Sequence, residues 1–226
     1  LWHKGRSHAR QHIWVDSVRG TGGSPTQMLG ISSQDANAEV SANTNGFIES
    51  IDSDGFTVTS GNDSSSKSNN AGANGRTYVD WCWKAGTTIS STSTSGSGTA
   101  KTYTGSVSTT AGFSIIRYVG NQTAGHTIPH HLGAKPDAIL VKHLDDGQQW
   151  ATQWSPLGAT KVMRFATTNA VSDSNTRWND TEPTTSVFTL GTEHEGNTND
   201  GNHIAYCFTS IKGYSKIGSY TGNATG

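Results

Sequence analysis

Cysteine is nearly missing from this sequence: Cys82 and Cys207 are the only two in 226 residues, too few for a disulfide framework. No apolar run reaches the roughly 18 residues of a helical membrane span. Neither sign of charge dominates, with 16 Lys and Arg against 17 Asp and Glu. That balance offers no basic surface for nucleic acid and no attraction to an anionic membrane. No window of about eleven residues keeps a helical apolar period, so only short helical turns are expected. The opening Leu1-Trp2-His3-Lys4 shows neither Met nor a signal-peptide pattern, which suggests a processed or partial chain.

Apolar residues are also scarce, at 31%, a level at which disorder becomes an alternative. Against disorder stand seven Trp, six Tyr and six Phe gathered in short clusters between polar turns. That is the composition of a many-stranded β structure.

Four pairs of segments resemble one another, in the same order. Lys4 aligns with Lys142, and at the same offset 12–17 aligns with 150–155 and Gly20 with Gly158. Asp54-Gly55-Phe56-Thr57-Val58 matches Ser186-Val187-Phe188-Thr189-Leu190. Tyr78–Trp83 matches His203–Phe208, and Gly112–Asn121 matches Gly213–Asn223. The chain therefore reads as the C-terminal part of one unit (1–86), a Ser/Thr/Gly-rich linker or extended surface strand (87–111), a second unit (112–212) and the opening strand of a further unit (213–226). Alternatively, that last strand completes a neighbouring sheet.

Alternation places Val79, Trp81 and Trp83 on one face of a strand, as it does Ile204, Tyr206 and Phe208 in the matching segment. Those faces are expected in a sandwich core. The mixed faces, with His203, Ala205, Cys207 and Thr209 in the second copy, are expected to meet solvent or a partner. The cysteines occupy equivalent mixed-face positions, so free thiols are expected. Further strands are expected at Phe113–Tyr118, Ala138–Lys142, Val162–Ala166 and Ser186–Leu190. Asp52-Ser53-Asp54-Gly55 reads as a turn with positive φ at the glycine.

Asp16-Ser17-Val18-Arg19-Gly20, the 52–58 string, Gly75–Gly86, Ala111–Ile116, His126–Gly133, Ala205–Phe208 and Gly213–Asn223 together resemble a repeat-containing family of uncharacterised structural proteins of marine tailed bacteriophages. Its members are described as tail-fibre-like or virion proteins. The resemblance spans nearly the whole chain and implies an all-β fold: a concanavalin A-like or jelly-roll antiparallel β-sandwich in repeated units. It implies a virion location, other virion proteins as partners and a homo-oligomer, as a trimer. It transfers no catalytic residue.

His126, His130 and His131 lack a convergent ligand set, and Pro129 suggests a turn or edge there. His3, His8 and His12 are spaced too loosely to add to them. The Glu193–Gly201 stretch has oxygen ligands but no EF-type spacing, and is expected to be a solvated turn, as are Asp52 and Asp54. No metal and no cofactor is assigned. Glu49-Ser50-Ile51-Asp52-Ser53-Asp54 lacks the last Glu of the Glu-x-Asp-x-x-Glu string of sandwich glucanases. No nucleophile elbow or phosphate loop occurs, so no enzyme is expected. Trp14, Trp154 and Trp178 are the candidate glycan contacts. The first two are expected to be exposed because their aligned partners, Thr152 and Asp16, are polar; Trp178 lies in a polar string. The expected function is that of a non-enzymatic virion structural protein, a tail-fibre or surface-appendage component contacting host glycans. Capsid decoration, or a lectin-like adhesin outside a virion, are the alternatives.

Overall fold

The structure, a computed structural model, describes residues 1–7, 9, 11–23, 27–40, 46–60 and 75–223. His8 and residues 224–226 of the expected last strand lie outside the described residues. The first part of the chain forms β1 (Trp2–Gly5), β2 (Ile13–Trp14), β3 (Thr21–Gly22), β4 (Gln27–Met28), β5 (Ile31–Ser32), β6 (Gly46–Ile51), β7 (Phe56–Ser60) and β8 (Tyr78–Trp81). Residues 87–111 contribute β9 (Thr87–Ser93), β10 (Ser95–Gly96) and β11 (Thr102–Ser108). The remainder holds β12 (Phe113–Val119), β13 (His126–Pro129), β14 (Ala138–His143), β15 (Ala151–Trp154), β16 (Lys161–Arg164), β17 (Ser172–Asp173), α1 (Asn175–Trp178), β18 (Val187–Leu190), α2 (His194–Asn197) and β19 (Asn202–Phe208). Every strand pairing is antiparallel, so the chain is all-β.

An eight-stranded sheet, ordered β17-β16-β15-β14-β19-β12-β11-β9, lies at the centre. Alternation sends Ile116, Tyr118, Ile139, Val141, Ala205 and Cys207 to one face, where they meet Ile128 and Phe188 of the sheet β10-β13-β18 and Trp178 of α1. Phe113, Ile115, Leu140, Ile204 and Tyr206 point the other way, onto Trp14 and Ile31 of the sheet β5-β2-β1-β8. Both faces are therefore covered, and all six residues of β14 are buried. This corrects the expectation for the face of His203, Ala205, Cys207 and Thr209: it is core rather than a meeting place with solvent. On the far side of the β5-β2-β1-β8 sheet, Ile13 and Val15 cluster with Met28 of β4 and Ile48 of β6, and Phe56 of β7 packs against them.

Several local readings change. Residues 87–111, read as a linker or an extended surface strand, contribute β9, exposed at the edge of the central sheet, and β11, whose Tyr103 and Val107 are buried in its core. The threonines suit this role, since β-branched side chains fit a pleated surface. Segment 213–223 forms no strand; an Ile211–Ser215 bridge turns it back on itself. The β6–β7 turn forms, with Asp52 N donating to Gly55 O over 2.8 Å, but Gly55 does not take a positive φ. β13 is the middle strand of its sheet, not an edge. Pro129 is tolerated there because β10 reaches only His126 and Thr127, leaving no partner for a Pro129 donor on that side. Trp81 is 42% exposed rather than in the core. Its ring lies 4.8 Å from that of Trp2.

Aligned segments share their registers. Lys4 faces Val79 across β1–β8, and Lys142 faces the aligned Ile204 across β14–β19. Trp2 faces Trp14, as Leu140 faces Thr152. The aligned Gly20 and Gly158 take φ of 75° and 76°, a backbone region that disfavours a Cβ.

Candidate functional site

A cavity of about 860 Å³ opens where the β5-β2-β1-β8 sheet meets the central sheet, within the usual size range of small-ligand pockets. Strand β2 supplies Trp14, and the turn after it supplies Asp16 and Ser17. Asp52 and Asp54 come from the β6–β7 turn, Trp83 and Lys84 from the stretch after β8. The central sheet closes the far wall with Thr88 and Ser90 of β9, Thr104 and Ser106 of β11, Phe113 of β12 and Tyr206 of β19.

The aromatic part of the wall is continuous. Trp14 and Trp83 stack with ring centroids 5.5 Å apart and planes 13° apart. Tyr206 lies 4.6 Å from Trp14, and Phe113 6.1 Å from Trp83. Trp14 Nε1 is buried and has no hydrogen-bond partner. A buried donor left unpaired is costly.

The polar part is held rigidly. Asp16 Oδ2 accepts from Arg19 Nε and from the Tyr206 hydroxyl, each over 2.6 Å, while Oδ1 accepts from the Arg19 and Val18 amides. Burial works against the charge of Asp16, yet the adjacent Arg19 guanidinium and these hydrogen bonds hold its carboxyl below the usual range. Burial likewise opposes the charge of Arg19, but the Asp16 carboxylate keeps its pKa raised. Arg19 also donates to Glu39 Oε1 and to the Trp14 carbonyl, each over 2.9 Å. Asp52 accepts from Ser50 Oγ over 2.8 Å and from Thr57 Oγ1 over 2.9 Å. The cavity thus offers stacked aromatic faces, fixed acceptors and hydroxyls, a combination suited to a ring with one apolar face and a polar rim.

Of the three candidate tryptophans, only Trp14 lines this cavity. Trp14 and Trp178 are buried, correcting the expectation of exposure. Trp178 packs edge-on against Phe188 in the core, because α1 folds the polar 176–180 string under β18. Trp154 is half-buried against the core facing the N-terminal sheet, away from the cavity. Trp83, Tyr206, Phe113 and Asp16 were not identified as site residues from sequence. Alternation puts Trp83 and Tyr206 on a core face, and nothing in their local spacing distinguishes a cavity wall from a filled core.

The histidines are engaged in holding loops. His126 bonds Asn197 Oδ1 at 2.9 Å and Thr94 Oγ1 at 2.7 Å, and His131 bonds the Tyr103 hydroxyl at 2.9 Å. His130 Nδ1 accepts from the Leu132 amide over 3.2 Å. No group of three or more metal-ligating side chains converges among the described residues. The 193–201 stretch is a solvated turn only at Asn199 and Asp200, which are exposed; the residues before them are not. Glu195 is buried and paired with Arg164 and Arg177, and Asn197 is buried among four hydrogen bonds.

No curated protein and no solved structure matches the chain. One family does, along residues 1–226, and its description is Domain of unknown function (DUF7483). The chain therefore belongs to the DUF7483 family.

Proposed function

We propose that this chain is a non-enzymatic virion structural protein, a tail-fibre or surface-appendage component that holds a host-surface glycan in the Trp14–Trp83 cavity. The observation that carries the binding role is the stacked indole pair beside fixed carboxylates and hydroxyls. An indole face contacts the C–H face of a sugar, while nearby acceptors take its hydroxyl protons. The virion assignment rests on the sequence resemblance to tailed-phage structural proteins. We read the architecture as a concanavalin A-like sandwich in repeated units. The shared registers of Lys4–Val79 and Lys142–Ile204, and the matching φ of Gly20 and Gly158, support the repeat. A binding role also suits the carboxylates: Asp16 is neutralised by Arg19, leaving it a poor general acid.

The test is binding of the full chain to an array of bacterial surface polysaccharides, beside Trp83→Ala. Trp83 is half-buried, so the variant should keep its fold, checked by far-UV circular dichroism. Binding by the parent that falls at least about tenfold in the variant, a loss of roughly 1.4 kcal/mol, supports the reading. No binding, or binding indifferent to Trp83, overturns the glycan site. Antibody labelling of tailed particles that encode the chain tests the location. Label on fibres supports it, label on the capsid shell replaces it with decoration, and unlabelled particles overturn it.

A further inference from the structure

Strand β8 ends its sheet, with β1 on one side and no strand beyond it among the described residues. Its aligned counterpart β19 is paired on both sides, by β14 and by β12. The segment that matches β12 in sequence is Gly213–Asn223, which forms no strand. It opens as β12 does, on a glycine of positive φ: 63° at Gly112 and 80° at Gly213. Its aromatics are out of place in water. Tyr214 is 66% exposed and Tyr220 95% exposed, whereas the aligned Phe113 and Tyr118 are buried. Among the described residues an unpaired edge and an unpaired strand sequence therefore coexist, and each matches the partner that the other lacks.

We propose that Gly213–Asn223 of one copy adds as an antiparallel strand to the outer edge of β8 in a second copy. Strand addition satisfies a row of main-chain groups that an open edge leaves to solvent. The register follows from β12–β19, where Phe113 faces Phe208 and Ser114 faces Cys207. Carried over, Tyr214 faces Trp83, Ser215 faces Cys82 and Lys216 faces Trp81. The exposed Trp81 ring then gains a cation above it. Tyr220 comes to Tyr78 as Tyr118 stacks on His203 at 5.1 Å. Ser219, the one residue without a counterpart, forms a bulge. Within its own chain the segment gives up little: the Ile211–Ser215 turn, partial packing of Ile217, one bond from Ile217 N to Ser210 Oγ and the attraction between Lys216 and Asp137. Donor and acceptor are different surfaces, so copies join head to tail and propagate into an open chain.

This inference rests on the repeated-unit reading but not on glycan binding. Ser215→Cys, mixed from isotopically heavy and light full-length copies and mildly oxidised, should yield disulfides between position 215 and Cys82, which is exposed and free. Heavy-to-light linked peptides support the proposal. Linkage confined within one copy, or none, overturns it. Ser219→Cys, out of register, should link far less; equal linkage overturns the register. Gly218→Pro should abolish the concentration-dependent association of the parent in sedimentation, because a proline ring obstructs pairing. Undiminished association, or a parent that stays monomeric, overturns the proposal. Glycan capture by the monomeric Gly218→Pro chain keeps this test separate from that of the cavity.

Discussion

The Tyr206 hydroxyl donates to Asp16 Oδ2 over 2.6 Å and ties the central sheet to the turn after β2. The two residues are 190 positions apart in the chain, and both are buried. With Arg19 and Glu39 they make a charged cluster at the junction of two layers. Removing one member of such a cluster leaves the others buried without compensation.

Asp16→Asn is therefore expected to destabilise the chain by about 3 kcal/mol. Tyr206→Phe keeps the ring and should cost about 1 kcal/mol. The double variant should cost less than the sum, because both changes remove the same bond. Urea denaturation of the four chains measures the coupling. Strict additivity would show that the two side chains do not interact in solution.

Asn197 is a second point of concentrated bonding. Its Oδ1 accepts from the Asn121 amide over 2.9 Å and meets His126 Nδ1 at 2.9 Å; its Nδ2 donates to Gly191 O over 2.6 Å and Thr123 O over 3.1 Å. One amide thus joins α2 to the loop before β13 and to the residue after β18, which meet at one end of the three-stranded sheet. Asn197→Ala should cost about 4 kcal/mol, since it removes four bonds worth about 1 each. Thermal unfolding reads the cost, and hydrogen exchange should quicken first at 121–126.

Stability should change with pH in two separate windows. Burial lowers His130 to about 4 and His203 to about 3, the latter helped by the neighbouring His143. Between their folded values and 6.5 the unfolded chain binds more protons, so stability falls as pH drops through that range. Burial also lowers Lys142 to about 8 from 10.5, so stability rises again between those values. Each group contributes a slope of at most about 1.4 kcal/mol per pH unit. His203→Phe should flatten the acid limb and Lys142→Met the alkaline one, as measured by denaturation across pH. Unchanged slopes would mean that these side chains are hydrated in the folded chain.

Strand identity was largely legible from sequence. Phe113–Tyr118 and Ala138–Lys142 lie in strands, Ser186–Leu190 does so from Val187 onward, and Val162–Ala166 overlaps β16. Their apolar residues alternate or run together over short spans bounded by turn residues, and that signal is local. Burial was less legible. The polar neighbours of Trp178 and the acidic string at 193–201 read as solvated, yet Trp178, Glu195 and Asn197 are buried. Each is covered by a partner distant in sequence: Phe188 over Trp178, Arg164 beside Glu195, His126 against Asn197. The cavity was not legible, since its walls run from Trp14 to Tyr206.

The order of amino acids alone determined the β class and the likeness between distant segments, because a period of two and a recurring motif are properties of neighbouring residues. Tertiary structure alone decided that the central sheet is covered on both faces, and that Trp14 and Trp83 stack beside Asp16 around an open space. Those outcomes depend on which sheet lands on which, and alternation gives a strand two faces without naming what will cover either one.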